Sequence, residues 1–87
     1  MITISVDYEG PKSIEEYYFT SFDKSYLDKL NDIEAYNGKI DRVVITRGVD
    51  STRDFPGVFM QMGREELVNT TNVKVAIRKG KLLASNN

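Results

Sequence analysis

Residues 23–38 run DKSYLDKLNDIEAYNG, and this stretch decides the fold. The apolar side chains that recur every three or four residues within it are Tyr26, Leu30 and Ile33. That spacing is typical of an amphipathic helix with one buried side. Asp23 is a good N-cap residue, and Gly38 offers the left-handed conformation that commonly ends a helix. We therefore predict a helix over about residues 24–36, packed by its apolar stripe on one face of a sheet.

Two segments precede this helix. Residues 2–8 alternate between apolar and polar side chains, which predicts a strand with one buried face. Residues 13–21 are ambiguous, because Ser13 and Glu16 have the spacing of a helix capping box, whereas the aromatic run that follows favours a strand. We favour a strand over residues 15–21 that forms a hairpin with the first, and a short helix is the alternative.

The second half of the chain contains further strand patterns. Apolar or alternating runs predict strands over residues 42–46, 58–62, 73–77 and 81–84, the last pair joined by a turn at Lys79-Gly80. Residues 64–68 fit either one helical turn or more strand. The sequence thus predicts a small α+β fold, residues 1–87 forming a single domain. It has a mostly antiparallel sheet of about five or six short strands and one main helix on one face.

The composition restricts the chemistry. The 87 residues include no histidine, no cysteine and no tryptophan. Imidazole bases, thiolate nucleophiles and the usual ligands of zinc, iron and copper are therefore absent from the sequence. No nucleotide-binding glycine motif and no calcium-loop pattern occurs either. We expect a protein that is not an enzyme and that binds no metal and no cofactor.

Charge is segregated along the chain. Residues 1–41 hold nine acids and four lysines, whereas residues 42–87 hold four acids and eight basic residues. The cations that cluster near the end of the chain are Lys74, Arg78, Lys79 and Lys81. On the predicted strands they form a basic sheet face, which is one way in which proteins contact phosphates. A nucleic-acid-binding accessory protein is therefore one of our functional hypotheses, although lysines on a solvent-exposed face are also common.

A long polar loop is predicted over residues 47–57, and long loops in small domains often contact other molecules. The loop residues that we expect to bind a partner are Arg47, Asp50, Arg53, Asp54 and Phe55. Their mixture of both charges with one aromatic ring is more typical of a protein contact than of a catalytic site. If Phe55 instead folds inward, it belongs to the core.

These patterns favour a small protein-interaction module over an enzyme. It would act as an inhibitor or adaptor on a larger protein, a role common among phage and mobile-element proteins of this size. Nucleic acid is the alternative partner, and self-association through a sheet edge at residues 58–62 or 73–77 is a third hypothesis. The sequence has neither a secretion leader nor a membrane-length apolar run, so we expect a cytoplasmic protein with no membrane partner.

Overall fold

A computed structural model describes residues 1–11, 13–48 and 64–85. The described chain contains four strands and two helices. In chain order they are β1 (Ile2–Tyr8), β2 (Ile14–Phe19), α1 (Lys24–Glu34), β3 (Ile40–Gly48), β4 (Arg64–Thr70) and α2 (Val73–Ser85). The α+β class predicted from the sequence is confirmed.

The four strands form one antiparallel sheet in the order β2-β1-β3-β4. β2 and β3 lie on opposite sides of β1 and both run antiparallel to it, so α1 connects two parallel strands across the middle one. The register places Ile4 opposite both Tyr17 and Ile45, and Ile45 opposite Val68. Directly paired residues point to the same face, so these side chains line one side of all four strands.

Both helices cover that side of the sheet. The Tyr26 ring of α1 lies edge-on to Phe19 of β2, with ring centroids 5.8 Å apart. Gly80 of α2 comes so close to Leu30 and Ile45 that a Cβ atom there would lie 3.0 and 3.1 Å from their methyl groups. The core enclosed between the sheet and the two helices consists of Ile2, Ile4, Val6, Tyr8, Tyr26, Leu30, Ile33, Ile40, Val43, Ile45, Val68, Ala76 and Ile77.

Helix α1 matches its prediction except at its C-terminus. The Asp23 carboxylate accepts a hydrogen bond from the backbone N–H of Tyr26 at 3.2 Å, as expected of an N-cap. The buried stripe is the predicted one. The helix ends earlier, however, with Ala35 as its C-cap in a right-handed conformation, so Gly38 does not end it. The backbone N–H groups of Ala35 and Tyr36 donate to the carbonyls of Asn31 and Ile33, so the last turn closes without a left-handed residue.

The ambiguous segments are now resolved. Residues 14–19 form a strand and pair with β1 in the predicted hairpin. Residues 64–70 are also a strand, so the helical turn considered for residues 64–68 does not form.

The prediction for the last segment was wrong. Residues 73–77 and 81–84 are not two strands joined by a turn at Lys79-Gly80 but parts of the single helix α2. The described sheet therefore has four strands rather than five or six, and the strand predicted over residues 58–62 lies outside the described residues. Self-association through a strand edge at residues 73–77 is excluded with it.

Candidate partner-binding surface

Helix α2 starts at a capping asparagine. The side-chain oxygen of Asn72 accepts from the backbone N–H of Val75 at 3.2 Å, and its carbonyl accepts from the N–H of Ala76 at 3.0 Å. The Thr70 hydroxyl in turn accepts from the N–H of Asn72 at 3.0 Å. Because the cap satisfies backbone donors that a helix leaves free, it fixes the first residue of the helix at Val73.

The buried stripe of α2 decides which of its residues face solvent. Ala76, Ile77 and Gly80 are buried, and the Gly80 carbonyl accepts a hydrogen bond from the Tyr26 hydroxyl at 2.7 Å. Glycine inside a helix costs about 1 kcal/mol relative to alanine. Here glycine allows the close approach of Leu30 and Ile45, since a Cβ atom would crowd their methyl groups and make these side chains shift. The contact fixes the rotation of α2 about its own axis.

That rotation turns all four basic residues of α2 outward. We call the surface formed by Lys74, Arg78, Lys79 and Lys81 the basic face. At 100° per residue, Lys74, Arg78 and Lys81 lie along the edge that faces α1, and Lys79 lies on the far edge. The helix itself has no acidic residue. The sequence had grouped these cations correctly, but on a sheet face, and their i, i+4, i+7 spacing was the overlooked sign of a helix.

Most of the basic face is electrostatically unpaired within the described part of the chain. Only Lys81 contacts an acid there, the Glu34 carboxylate of α1 at 4.0 Å. Lys74, Arg78 and Lys79 form no ion pair with a described residue. Leu82 lies among them with 53% of its surface exposed. The surface therefore combines positive charge that no described acid pairs with an exposed apolar side chain.

A groove lies beside the basic face, between the end of α1 and the start of α2. Its volume is about 510 Å³. The residues that line it are Ile33, Glu34, Tyr36, Gly38, Ile40, Val73, Lys74 and Arg78. Among them, Tyr36, Ile40 and Val73 were not predicted as functional residues. Their proximity depends on the contact between the two helices, which the sequence does not reveal.

The acids of α1 are engaged by neighbouring lysines. Lys24 contacts Asp28 at 3.1 Å, and Lys29 approaches Asp32 at 3.9 Å. These are exposed pairs within one helix, each worth a few tenths of a kcal/mol. The acidic side of α1 therefore fits a solvated helix surface, with no converging set of free carboxylates at Asp28 and Asp32.

Most of the residues predicted to bind a partner through the long loop lie outside the described part of the chain. Asp50, Arg53, Asp54 and Phe55 lie outside the described residues. Arg47 belongs to β3, where its guanidinium contacts the Glu65 carboxylate of β4 at 3.0 Å. Arg47 also lines a second surface pocket, which has a volume of about 410 Å³. Arg47 is therefore already paired across the sheet.

A cluster of tyrosines ties β1, β2 and α1 together. The Tyr17 hydroxyl donates to the Glu15 carboxylate at 2.7 Å and lies 3.0 Å from the Tyr8 hydroxyl. The Lys29 ammonium lies 4.3 Å from the centre of the Tyr17 ring. Burial, followed by the hydrogen bonds with Tyr8 and Glu15, raises the pKa of Tyr17 far above its ordinary value. A tyrosine whose hydroxyl stays protonated and hydrogen-bonded in this way stabilises the packing of the elements around it. We therefore assign the cluster a structural role.

The sheet face opposite the helices is polar among the described residues. Arg42 donates to the side-chain oxygen of Asn69, whose amide nitrogen donates to Glu66 at 3.2 Å. Ile14 and Tyr18 of β2 point to the same face, and each exposes more than half of its surface. They are separated by Glu16 on this face, so they do not form a continuous apolar patch.

The chain matches no protein-family model, no curated protein and no solved structure in comparisons with known proteins. Neither described helix is long and apolar enough to cross a membrane. In the described ranges, no three acidic side chains converge in the way that a metal site requires. Within the described residues, the basic face and its groove form the candidate binding surface.

Proposed function

We propose that this chain is a small, non-enzymatic protein-interaction domain that binds an acidic surface of a larger protein through the basic face. The observation that carries the proposal is that Lys74, Arg78 and Lys79 form no ion pair with any described residue, on a helix that has no acid of its own. Unpaired cations of one sign attract a complementary surface and speed its association. We further propose that the protein acts in the cytoplasm as an inhibitor or adaptor. This role is common among small proteins encoded by phages and mobile elements.

One feature favours protein over nucleic acid as the partner. Leu82 is exposed within the basic face, and an apolar side chain surrounded by charge is a suitable anchor for a protein contact.

The proposal is tested by affinity capture from the native cell extract with and without nuclease. The baits are the wild-type chain, the charge-reversed variant K74E/R78E/K79E and the charge-conserving control K74R/R78K/K79R. We expect the same protein to be retained by the wild type and the control in both arms, and lost by the reversed variant. Circular dichroism must show that all three baits are equally folded. Retention of the protein by the reversed variant would overturn the basic face as its binding site.

Nucleic acid is a second candidate, favoured by one observation. Lys74, Arg78 and Lys81 form a row along the edge of α2, about 6 and 4.5 Å apart along the axis, which suits successive phosphate contacts. Three or four such contacts predict that affinity for an oligonucleotide falls about 40- to 150-fold between 50 and 200 mM salt. Fluorescence anisotropy with labelled single- and double-stranded DNA measures this, and absence of binding at about 50 mM salt excludes it.

A further inference from the structure

The groove between α1 and α2 has an apolar base and polar walls. Ile33 and Ile40 are buried at its base, and Val73, the first residue of α2, is half-buried beside them. Its volume of about 510 Å³ lies in the range of about 300 to 1,000 Å³ that is typical of ligand pockets. One or more apolar side chains of a partner would therefore find a hydrophobic site here.

One wall of the groove is held in place by aromatic packing. The Tyr36 ring packs against the Tyr8 ring, with centroids 4.7 Å apart. It also lies directly over Gly38, since a Cβ atom at that position would come within 2.6 Å of the Tyr36 hydroxyl oxygen. The wall is thus part of the folded domain, and the groove exists before any partner arrives.

The opposite wall is positively charged. Lys74 and Arg78 line it and have no acidic partner among the described residues. The one acid in the lining, Glu34, lies 4.0 Å from the Lys81 ammonium in an exposed pair. The groove therefore combines an apolar base with two cations at its rim that no described acid pairs.

The spacing of the two cations suits a peptide. Lys74 and Arg78 are one helical turn apart, about 6 Å along the axis. Alternate residues of an extended peptide are about 6.6 Å apart and point the same way. Two acids in alternate positions can thus face both cations, and the next residue on that side reaches the apolar base. This match favours an extended acidic segment over a compact anion.

We infer that the groove binds an extended acidic peptide segment of the partner, with acids on Lys74 and Arg78 and an apolar side chain over Ile33, Ile40 and Val73. The inference rests on the proposed function, because it specifies where and how an acidic partner is recognised. It assigns Lys79, on the far edge of α2, and Leu82, on its outward side, a role outside the groove.

A nuclear magnetic resonance titration tests the inference. The ¹⁵N-labelled chain is titrated to millimolar concentration with a synthetic peptide containing Glu-Ser-Glu-Ser-Leu, and separately with a twelve-nucleotide oligothymidylate. We expect the peptide to shift the amide signals of Gly38, Ile40, Val73 and Arg78. Replacing the peptide's leucine by serine should weaken binding about tenfold, because the apolar contact is lost.

Variants of the protein separate the groove from the rest of the basic face. K74A/R78A should weaken peptide binding at least tenfold, because both carboxylate partners are removed. Lys79→Ala removes a cation of the same helix that does not line the groove, and it should weaken peptide binding far less than the double variant does. An equal loss in both variants, shifts confined to Lys79 and Leu82, no shifts at millimolar peptide, or the same shifts with oligothymidylate would each overturn the inference.

Competition with the captured protein distinguishes this inference from the proposed function. Excess peptide added to the affinity capture should release the partner if both use the groove. If the partner stays bound while the peptide occupies the groove, the groove inference fails and the basic face stands. If the charge-reversed variant retains the partner, the proposed function fails whatever the peptide does.

Discussion

Tyr26 brings a hydroxyl group into the core of the protein. Its ring is fully buried, and its hydroxyl donates to the Gly80 carbonyl of α2 at 2.7 Å. The ring also packs edge-on against Phe22, with centroids 5.0 Å apart. A buried hydroxyl without a partner costs free energy, so this single hydrogen bond ties the position of α2 to that of α1.

Removal of this hydroxyl should destabilise the protein measurably. We expect Tyr26→Phe to lower the free energy of unfolding by about 1 kcal/mol, because a buried hydrogen bond between the helices is lost. Urea unfolding measures the change. Tyr18→Phe is the control, since the Tyr18 hydroxyl contacts Glu16 at the surface, and its effect should stay within about 0.5 kcal/mol. Equal losses in the two variants would contradict the assigned role of Tyr26.

Buried tyrosines also predict how stability depends on pH. Burial raises the pKa of Tyr26 from 10.0 to about 12, and that of Tyr17 rises further. A raised pKa means that the unfolded chain loses these protons first as the pH increases. The contribution of both groups is therefore complete below pH 10 and is lost progressively above it.

Urea unfolding across this alkaline range provides the test. The free energy of unfolding should fall as the pH rises from about 10 towards 12, and the fall should be shallower in Tyr26→Phe than in the wild type. Equal slopes in the two proteins would show that Tyr26 does not contribute to the alkaline loss of stability.

At the scale of the elements, the sequence predicted helix α1 correctly but the segment that forms α2 was interpreted as two strands. Helix α1 follows from an N-cap and a 3.6-residue period that no other structure explains. In α2, Val73, Val75 and Ile77 alternate as a strand would, and Lys79-Gly80 resembles a turn. Ala76, Ile77 and Gly80 nevertheless recur at helical spacing, and they are the residues that α2 buries. The helical period was therefore present in the sequence, whereas the contact of Gly80 with Leu30 and Ile45, far away in the chain, was not.

The candidate site was predictable to the same limited extent. The sequence identified a cluster formed by Lys74, Arg78, Lys79 and Lys81, because basic residues that lie close together in a sequence can be recognised without a structure. It placed them on the wrong kind of element, and so it missed the groove formed with Ile40. That groove exists only because the two helices lie side by side on the sheet.

The N-cap of α2 should contribute substantially to this helix. We expect Asn72→Ala to lower the free energy of unfolding by about 1 kcal/mol, since its side chain satisfies the N–H of Val75. Asn72→Asp preserves the acceptor and is the matched control, with little change expected. Urea unfolding of the three proteins checks this, and an Asp variant as unstable as the Ala variant would argue against capping.

At the scale of the whole molecule, the two middle strands are the best-protected part of the described sheet. β1 and β3 pair with strands on both sides, and their core side chains Ile4, Val6, Val43 and Ile45 are fully buried. We expect the amides of β1 and β3 to exchange with solvent only through global unfolding, more slowly than those of α2. Native-state hydrogen exchange measures this, and faster exchange in β1 than in α2 would contradict the order.

The close approach at Gly80 has an evolutionary consequence. Because this glycine lets α2 pack closely on Leu30 and Ile45, it helps to set which cations line the groove although it is itself buried. A larger residue there would crowd these side chains and, in the binding mode proposed above, alter recognition from inside the protein. Among natural variants of this chain, we therefore expect position 80 to change only together with Lys74 and Arg78, so selection for binding would extend into the core.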